Sequence, residues 1–304
     1  MNIDVGRVGI WTAALEGVSA VRARETAQAL EEMGYRALWI NETTGRDPFV
    51  LAALLLSATS TLNVATGIAN VYARDALTMA ACQKSLAEAF PGRFLLGLGV
   101  SSPVLVERVR KHSYGKPLSY LASYLDDMDA ALYTSVAPAE APPRVLAALG
   151  PRMLELAARR ADGAHPYLAT PDHTRRAREI VGPDALLAPE QMVLLETDSA
   201  EARSIARGAV GFYLRAPGYL ANLRRLGFGD DDWADPKAPS DRLVDAIVAW
   251  GDLDEIVRRV HEHHDAGANH VCVQVLSGTH ELPFTEWREL ASALLERDPK
   301  GRGR

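Results

Sequence analysis

Side chains able to do chemistry in this 304-residue chain collect at the ends of short apolar runs: Trp11 and Thr12, Asn41 and Glu42, Asn70, Tyr72 and Arg74, Ser101 and Ser102, Gly150 and Arg152, His165 and Tyr167, and Glu196. The set is mixed and mostly uncharged, and it lacks a nucleophile, base and acid arranged as a triad. It suits the enclosure of a flat heterocycle, so the bulk of the chemistry would belong to a cofactor. Glu42 is the candidate general acid or base, because it follows an apolar strand and precedes the loop Thr43-Thr44-Gly45. A carboxyl group taken out of water above a ring can be tuned for proton transfer. The competing reading of Glu42 is an ion pair with Arg46 or Arg74.

Other chemistries lack their residues. A Schiff-base barrel needs a lysine at a strand end, and Lys84, Lys111, Lys116, Lys237 and Lys300 all lie elsewhere. No metal site is expected. The run His261-Glu262-His263-His264-Asp265 resembles H-E-x-x-H but has Asp265 in place of the second histidine, and it reads as a solvated helix surface. Cys82 and Cys272 fit no metal or redox spacing and read as free core thiols. With 33 Lys plus Arg against 39 Asp plus Glu, the chain is acidic overall, and no basic stripe exceeds short Arg pairs. Nucleic acid is therefore not an expected partner. The longest apolar run, Phe49 to Leu56, falls well short of the about 20 residues a bilayer span needs. The first residues lack the pattern of a secretory signal, so a cytoplasmic protein is expected, with no membrane partner.

The elements that must position these residues alternate, β-rich run then amphipathic helix, eight times. The strands are expected at Arg7 to Trp11, Ala37 to Asn41, Leu62 to Ala69, Phe94 to Leu98, Arg144 to Leu149, Gly163 to Tyr167, Gln191 to Glu196 and His270 to Leu276. Several are apolar on successive residues, as strands buried on both faces are. Eight such units predict an α/β fold, a (β/α)8 TIM barrel forming a single domain over residues 1–304, with insertions after strands 4 and 7 (about 100–143 and 207–239). The alternative, an open doubly wound sheet, would want G-x-G-x-x-G after an early strand. Gly97-Leu98-Gly99 comes nearest, but Ser102 stands where the third glycine belongs. Asp47-Pro48, Gly150-Pro151 and Thr170-Pro171 each place an N-cap residue before proline at the C-terminal ends of strands, the catalytic face of a barrel. The insertions read as lids or binding loops.

The runs Arg74-Asp75-Ala76-Leu77-Thr78-Met79-Ala80 and Leu86-Ala87-Glu88-Ala89-Phe90-Pro91-Gly92-Arg93-Phe94-Leu95-Leu96-Gly97-Leu98-Gly99 resemble signatures of the bacterial luciferase-like monooxygenase superfamily. So does Ala147-Ala148-Leu149-Gly150-Pro151-Arg152-Met153, followed by Ala161-Asp162-Gly163. Nearly the whole chain is covered, and the wording is closer to the actinobacterial branch that uses the deazaflavin coenzyme F420 than to the FMN branch.

The resemblance implies an oxidoreductase that moves a hydride between the deazaflavin C5 and a small organic substrate, or alternatively an FMN monooxygenase fed by a separate reductase. A non-catalytic deazaflavin- or flavin-binding protein is the third reading. The resemblance further implies a non-prolyl cis peptide at Ala69-Asn70 beneath the ring, with Gly97 and Gly99 letting backbone approach it, or serving barrel packing alone. Gly150, Pro151, Arg152 and Met153 would take the cofactor phosphate. Thr170 would do the same or simply cap its helix, and Arg74 would pair either with phosphate or with Glu42. Trp11, Tyr72, His165 and Tyr167 would shape the substrate pocket, and a homodimer is expected. Ser101-Ser102 departs from the sugar-phosphate dehydrogenases of the family, which place a glutamate there, so their substrate and proton-donor scheme does not carry over.

Overall fold

A computed structural model describes residues 3–279 and 281–295; Lys300 lies outside the described residues. Parallel strands form the wall of a barrel: β1 (Val8–Thr12), β2 (Ala37–Ile40), β3 (Asn63–Thr66), β4 (Ala69–Asn70), β5 (Phe94–Gly99), β6 (Arg144–Leu146), β7 (Gly163–Ala164), β8 (Leu186–Leu187), β9 (Glu190–Leu195), β10 (Val248–Gly251) and β11 (Val271–Val275). The pairing runs β1, β2, β3, β5, β6, β7, β8. Closure falls to one stretch of chain, 186–195, whose first part pairs with β7 and whose second part pairs with β11, itself paired with β1.

The helices are α1 (Ala20–Glu32), α2 (Pro48–Ala58), α3 (Ala76–Ala89), α4 (Pro117–Asp129), α5 (Pro151–Arg160), α6 (Pro171–Val181), α7 (Ser199–Tyr213), α8 (Pro217–Arg225), α9 (Asp241–Ile247), α10 (Leu253–Asp265) and α11 (Phe284–Leu295). Short polar side chains start many of them: Ser19, Asp47, Asp75, Thr170, Asp198, Ser240 and Asp252 each accept a hydrogen bond from a first-turn N–H. Gly150, heading α5, has no side chain to do this.

Alternation along the strands sorts side chains into two cores. Leu38, Ile40, Val64, Phe94 and Leu96 point outward into the layer beneath the helices. Trp39, Ala65, Leu95, Val145 and Cys272 fill the barrel, and their cluster continues into α7, α8 and α9 through Ala206, Val210, Leu223 and Leu243.

Several departures from the sequence reading shape the wall and its insertions. The third strand breaks at Gly67-Ile68 into β3 and β4, which both pair with β5. The first insertion is shorter than 100–143, because α4 is itself the crossover helix between β5 and β6. The second is mostly helical, containing the end of α7, all of α8 and a short turn at Asp230–Asp232. Finally, β10 adds a strand to the outer edge of β9. Its four residues follow α9 directly with no turn residue between, so the apolar run reads as more helix.

Histidines supply a pH test of this packing. His263 is buried, not solvated, with Nδ1 against the Thr174 hydroxyl at 2.8 Å and Nε2 against Gln191 Oε1 at 2.9 Å. Burial lowers the pKa of His263 to about 3 and those of His165, His264 and His270 to about 4. An unfolded histidine takes its proton near pH 6.5. Below that pH the unfolded chain binds more protons than the folded one, so stability falls as pH drops, by about 1.4 kcal/mol per pH unit for each histidine. One buried carboxyl, Glu190, works the other way, because burial raises its pKa to about 8. Four histidines outweigh it. Melts in buffers stepped from about pH 6.5 towards 4 should show a steep, continuous loss of Tm; a flat profile over that interval would mean the histidines are charged inside the fold.

Candidate active site

The break in the third strand lies at the C-terminal mouth of the barrel. The cis peptide is Gly67-Ile68, two residues before the expected Ala69-Asn70. Ala69 is fully buried in the outer core and cannot line the mouth. Ile68 is half-buried there, and its side chain covers Gly99, where a Cβ would come within 2.5 Å of Ile68 Cδ1. A Cβ on Gly97 would lie 1.9 Å from the Thr66 carbonyl oxygen. Gly97 is thus demanded by strand packing, because its neighbour is backbone, whereas Gly99 meets only side-chain atoms.

Glu42 is the hub of a buried ion-pair network, not a free carboxylate. It takes two hydrogen bonds from Arg74, at 2.9 and 2.7 Å, and one from Arg110 at 3.3 Å. The backbone N–H of Asn70 donates the fourth, at 2.7 Å. Arg74 also reaches Asp47 at 3.0 Å and lies over the Phe49 ring, so it is committed to carboxylates and not to phosphate. Asn70 accepts from the Tyr72 N–H through Oδ1, and its buried Nδ2 has no partner. Glu42 therefore holds the strand-3 bulge in position through the Asn70 backbone, while the side-chain amide nitrogen of Asn70 stays unsatisfied.

Tyr72 is a structural anchor and not a pocket wall. It is stacked between Tyr114 and Tyr120, with ring centroids at 5.5 and 4.3 Å, and its hydroxyl accepts from the Gly115 N–H. It pins the segment after β5, whose π-helical turn (Val104–Val109) delivers Arg110 to Glu42.

Inside the mouth the structure brings Trp11 and Tyr167 together, ring centroids 5.2 Å apart, with the Trp11 indole N–H donating to Gly67 O. The Tyr167 hydroxyl donates to Gln274 Oε1 at 2.7 Å, which obliges Tyr213 to donate to Tyr167 at 2.6 Å. Tyr219 packs edge-on against Tyr213. His165 lies a layer deeper than expected: it is 1% exposed, stacked on Trp39, with Nδ1 against Ala188 O and a buried, unpartnered Nε2.

Sequence reasoning missed Glu190. It is 1% exposed in the barrel interior, accepts from the Leu168 N–H at 3.2 Å through Oε2, and leaves Oε1 without a partner. Leu168 sits at φ 56° to turn that N–H inward, a conformation L-residues rarely adopt. The available signal is a carboxyl set within the apolar run Leu186-Leu187-Ala188-Pro189-Glu190-Gln191-Met192-Val193, one residue before Gln191, where the pattern starts the strand.

At the neighbouring α5 N-terminus, Gly150 O takes back the N–H groups of Met153 and Leu154, and the Arg152 N–H has no intrahelical acceptor. Pro151 and Arg152 are exposed, while Met153 is half-buried against the outer core. Arg225 from α8, another residue the sequence left unmarked, lies over Gly150, its Nη1 3.4 Å from where a Cβ would stand. Arg176 donates to Arg225 O. Burial first, then the charges of Arg176 and Arg225, lowers the pKa of His173, whose Nδ1 is buried and unpartnered. Arg152 and Arg225 form no ion pair among the described residues. Helix N-terminus and unneutralised guanidinium groups together suit an anion. Thr170 does not join them: its hydroxyl accepts the His173 N–H and caps α6.

Residues 7–270 match the family model described as luciferase-like monooxygenase. Among curated relatives, the 5,10-methylenetetrahydromethanopterin reductase of Archaeoglobus fulgidus is 24% identical, covering 79% of this chain and 85% of its own. The F420-dependent hydroxymycolic acid dehydrogenase of Mycobacterium tuberculosis is 30% identical over 45% of this chain and 46% of its own. An F420-dependent secondary alcohol dehydrogenase, solved with an F420-acetone adduct, superposes with a TM-score of 0.76 at 16% identity, covering 94% of this chain and 98% of that one.

Proposed function

Since the chain belongs to the luciferase-like monooxygenase family, we propose that it is a coenzyme F420-dependent oxidoreductase acting on a small organic molecule. The observation that carries this reading is the pair of uncompensated guanidinium groups, Arg152 and Arg225, at the uncapped start of α5, beside a barrel mouth containing orphaned polar atoms. The residues fit such a cofactor. Arg152 and Arg225 would hold its phosphate, and Ile68, Gly99 and Trp11 would flank its ring system. When bound, the deazaflavin supplies a carbon that gives or takes a hydride. The chain's own part is to fix the ring against the strand-3 bulge through the Glu42–Asn70 contact, and to exclude water from the mouth with Tyr167, Tyr213 and Tyr219. Glu42 acts on this reading as a positioning residue. The expected homodimer would pair through α2 and α3, which adjoin one another and carry the exposed Val50 and Leu77.

Titrating the purified protein with F420, FMN and FAD while following tryptophan fluorescence tests the proposal. F420 should bind tightest, and the Arg152→Ala, Arg225→Ala double variant should weaken it at least ~10-fold per lost charge-assisted contact without changing Tm, because both side chains are exposed. Preference for FMN, accompanied by oxygen consumption when reduced FMN is supplied by a separate reductase, would instead favour a monooxygenase. Equal binding by the double variant would move the phosphate site elsewhere.

A further inference from the structure

The network around Glu42 accounts for one side of the barrel mouth, and the cationic start of α5 accounts for another. Glu190 belongs to neither. Its register partner on β11 is Cys272, its Oε2 is held by the N–H of Leu168, next in the chain to Tyr167, and Tyr213 of α7 and Tyr219 of α8 pack on the Tyr167 ring. The hydrogen bonds of Glu190 and the three tyrosines run to the Leu168 N–H, between Tyr167 and Tyr213, and to Gln274, and no lysine or arginine bonds to them among the described residues. Burial holds its pKa at about 8, so the acid form prevails at neutral pH. Since Oε2 already accepts the Leu168 N–H, the proton resides on Oε1, the oxygen that has no partner. A buried donor without an acceptor is costly and is retained where something else completes it.

We propose that the Glu190 carboxyl is the substrate-recognition donor of this site, giving a hydrogen bond to the acceptor oxygen of an uncharged carbonyl compound whose ring or apolar body packs against the cluster of Trp11, Tyr167, Tyr213 and Tyr219. The aromatic walls select for a flat or alicyclic apolar body. The absence of a cation selects against carboxylate and phosphate substrates, which would lose hydration without gaining a counter-charge. Tyr219 is half-buried, and its hydroxyl makes no hydrogen bond among the described residues. The proposal rests on the reading of the mouth as a redox site and names the substrate class that site takes.

Three probes of similar size separate the contributions: acetophenone, ethylbenzene, which lacks the acceptor oxygen, and benzoate, which is charged. Their binding to the full-length protein is followed by tryptophan fluorescence, and infrared difference spectra report the carbonyl stretch of a neutral carboxylic acid. Acetophenone should bind about tenfold more tightly than ethylbenzene, benzoate should bind most weakly, and the acid band should move on addition of acetophenone alone. Glu190→Ala should erase the tenfold preference, and Glu190→Gln, whose amide still donates, should keep part of it. Equal affinity for acetophenone and ethylbenzene, tightest binding of benzoate, or no acid band at neutral pH would overturn the proposal from wild-type protein alone, whatever the variants do. An F420 titration on the same samples keeps the two readings apart. F420 binding without acetophenone selectivity sinks only the role of Glu190, whereas selectivity without F420 binding sinks only the cofactor assignment.

Discussion

Glu42→Ala is expected to destabilise the protein by about 3–5 kcal/mol, the usual cost of removing one member of a buried ion pair. The carboxylate is 6% exposed and Arg74 9%, so the deletion strands a guanidinium that water cannot reach. Asp47, 46% exposed, is too open to compensate. Arg110 and the Asn70 N–H lose their acceptor at the same time. Because Asn70 ends the strand-3 bulge, cofactor affinity should fall together with Tm. The milder Glu42→Gln variant separates positioning from proton transfer. A positioning residue loses stability, affinity and turnover together, because the amide cannot neutralise two arginines. An acid or base would lose turnover while Tm and affinity stay near wild type. Thermal melts, F420 titration and steady-state rates on this one variant decide between the roles.

Gly97→Ala should be the most damaging single methyl group that can be added at the mouth. The new Cβ would meet the Thr66 carbonyl oxygen at 1.9 Å, and backbone cannot step aside as a side chain can. Thr66 also clamps Gly97 directly: its hydroxyl donates to Gly97 O at 2.7 Å and accepts from Gly97 N–H at 2.8 Å. This exchange continues the contact between β3 and β5 past the register pair Ala65 and Leu95, where the bulge would otherwise interrupt it. Overpacking usually costs about 1–3 kcal/mol, and breaking the clamp adds to that, so urea melts should show a loss above about 3 kcal/mol or little soluble protein at all. Gly99→Ala provides the contrast. Its Cβ would press on the far end of Ile68, which can rotate. That variant should fold almost normally yet push Ile68 into the space above the bulge and weaken cofactor binding. A stable Gly97→Ala protein would show that the close approach of β3 and β5 is not required.

The barrel was legible because its strands are apolar on both faces and its helices begin at capped prolines, as at Asp47-Pro48 and Thr170-Pro171. Those are local signals. What escaped was set by long-range contacts. Arg74 offered two partners, and only the fold showed that Glu42, 32 residues away, takes both ends of its guanidinium. His165 and Tyr167 both follow β7 and looked equivalent, yet one stacks on Trp39 deep in the barrel and the other meets Trp11 nearer the rim. Arg225 is one of many exposed arginines until α8 carries it over Gly150. Glu190 was hidden by Pro189, which reads as the end of a loop and not as the middle of a wall-forming segment.

The segment between β9 and α10 supplies Arg225 to the start of α5 and Tyr213 and Tyr219 to the aromatic cluster around Tyr167, from two consecutive helices. On the proposed roles of these residues, grip on the carrier molecule and taste for the compound being transformed are co-inherited: recombination that exchanges this cassette between related proteins would transplant both at once, and point changes along α8 aimed at one would be felt by the other.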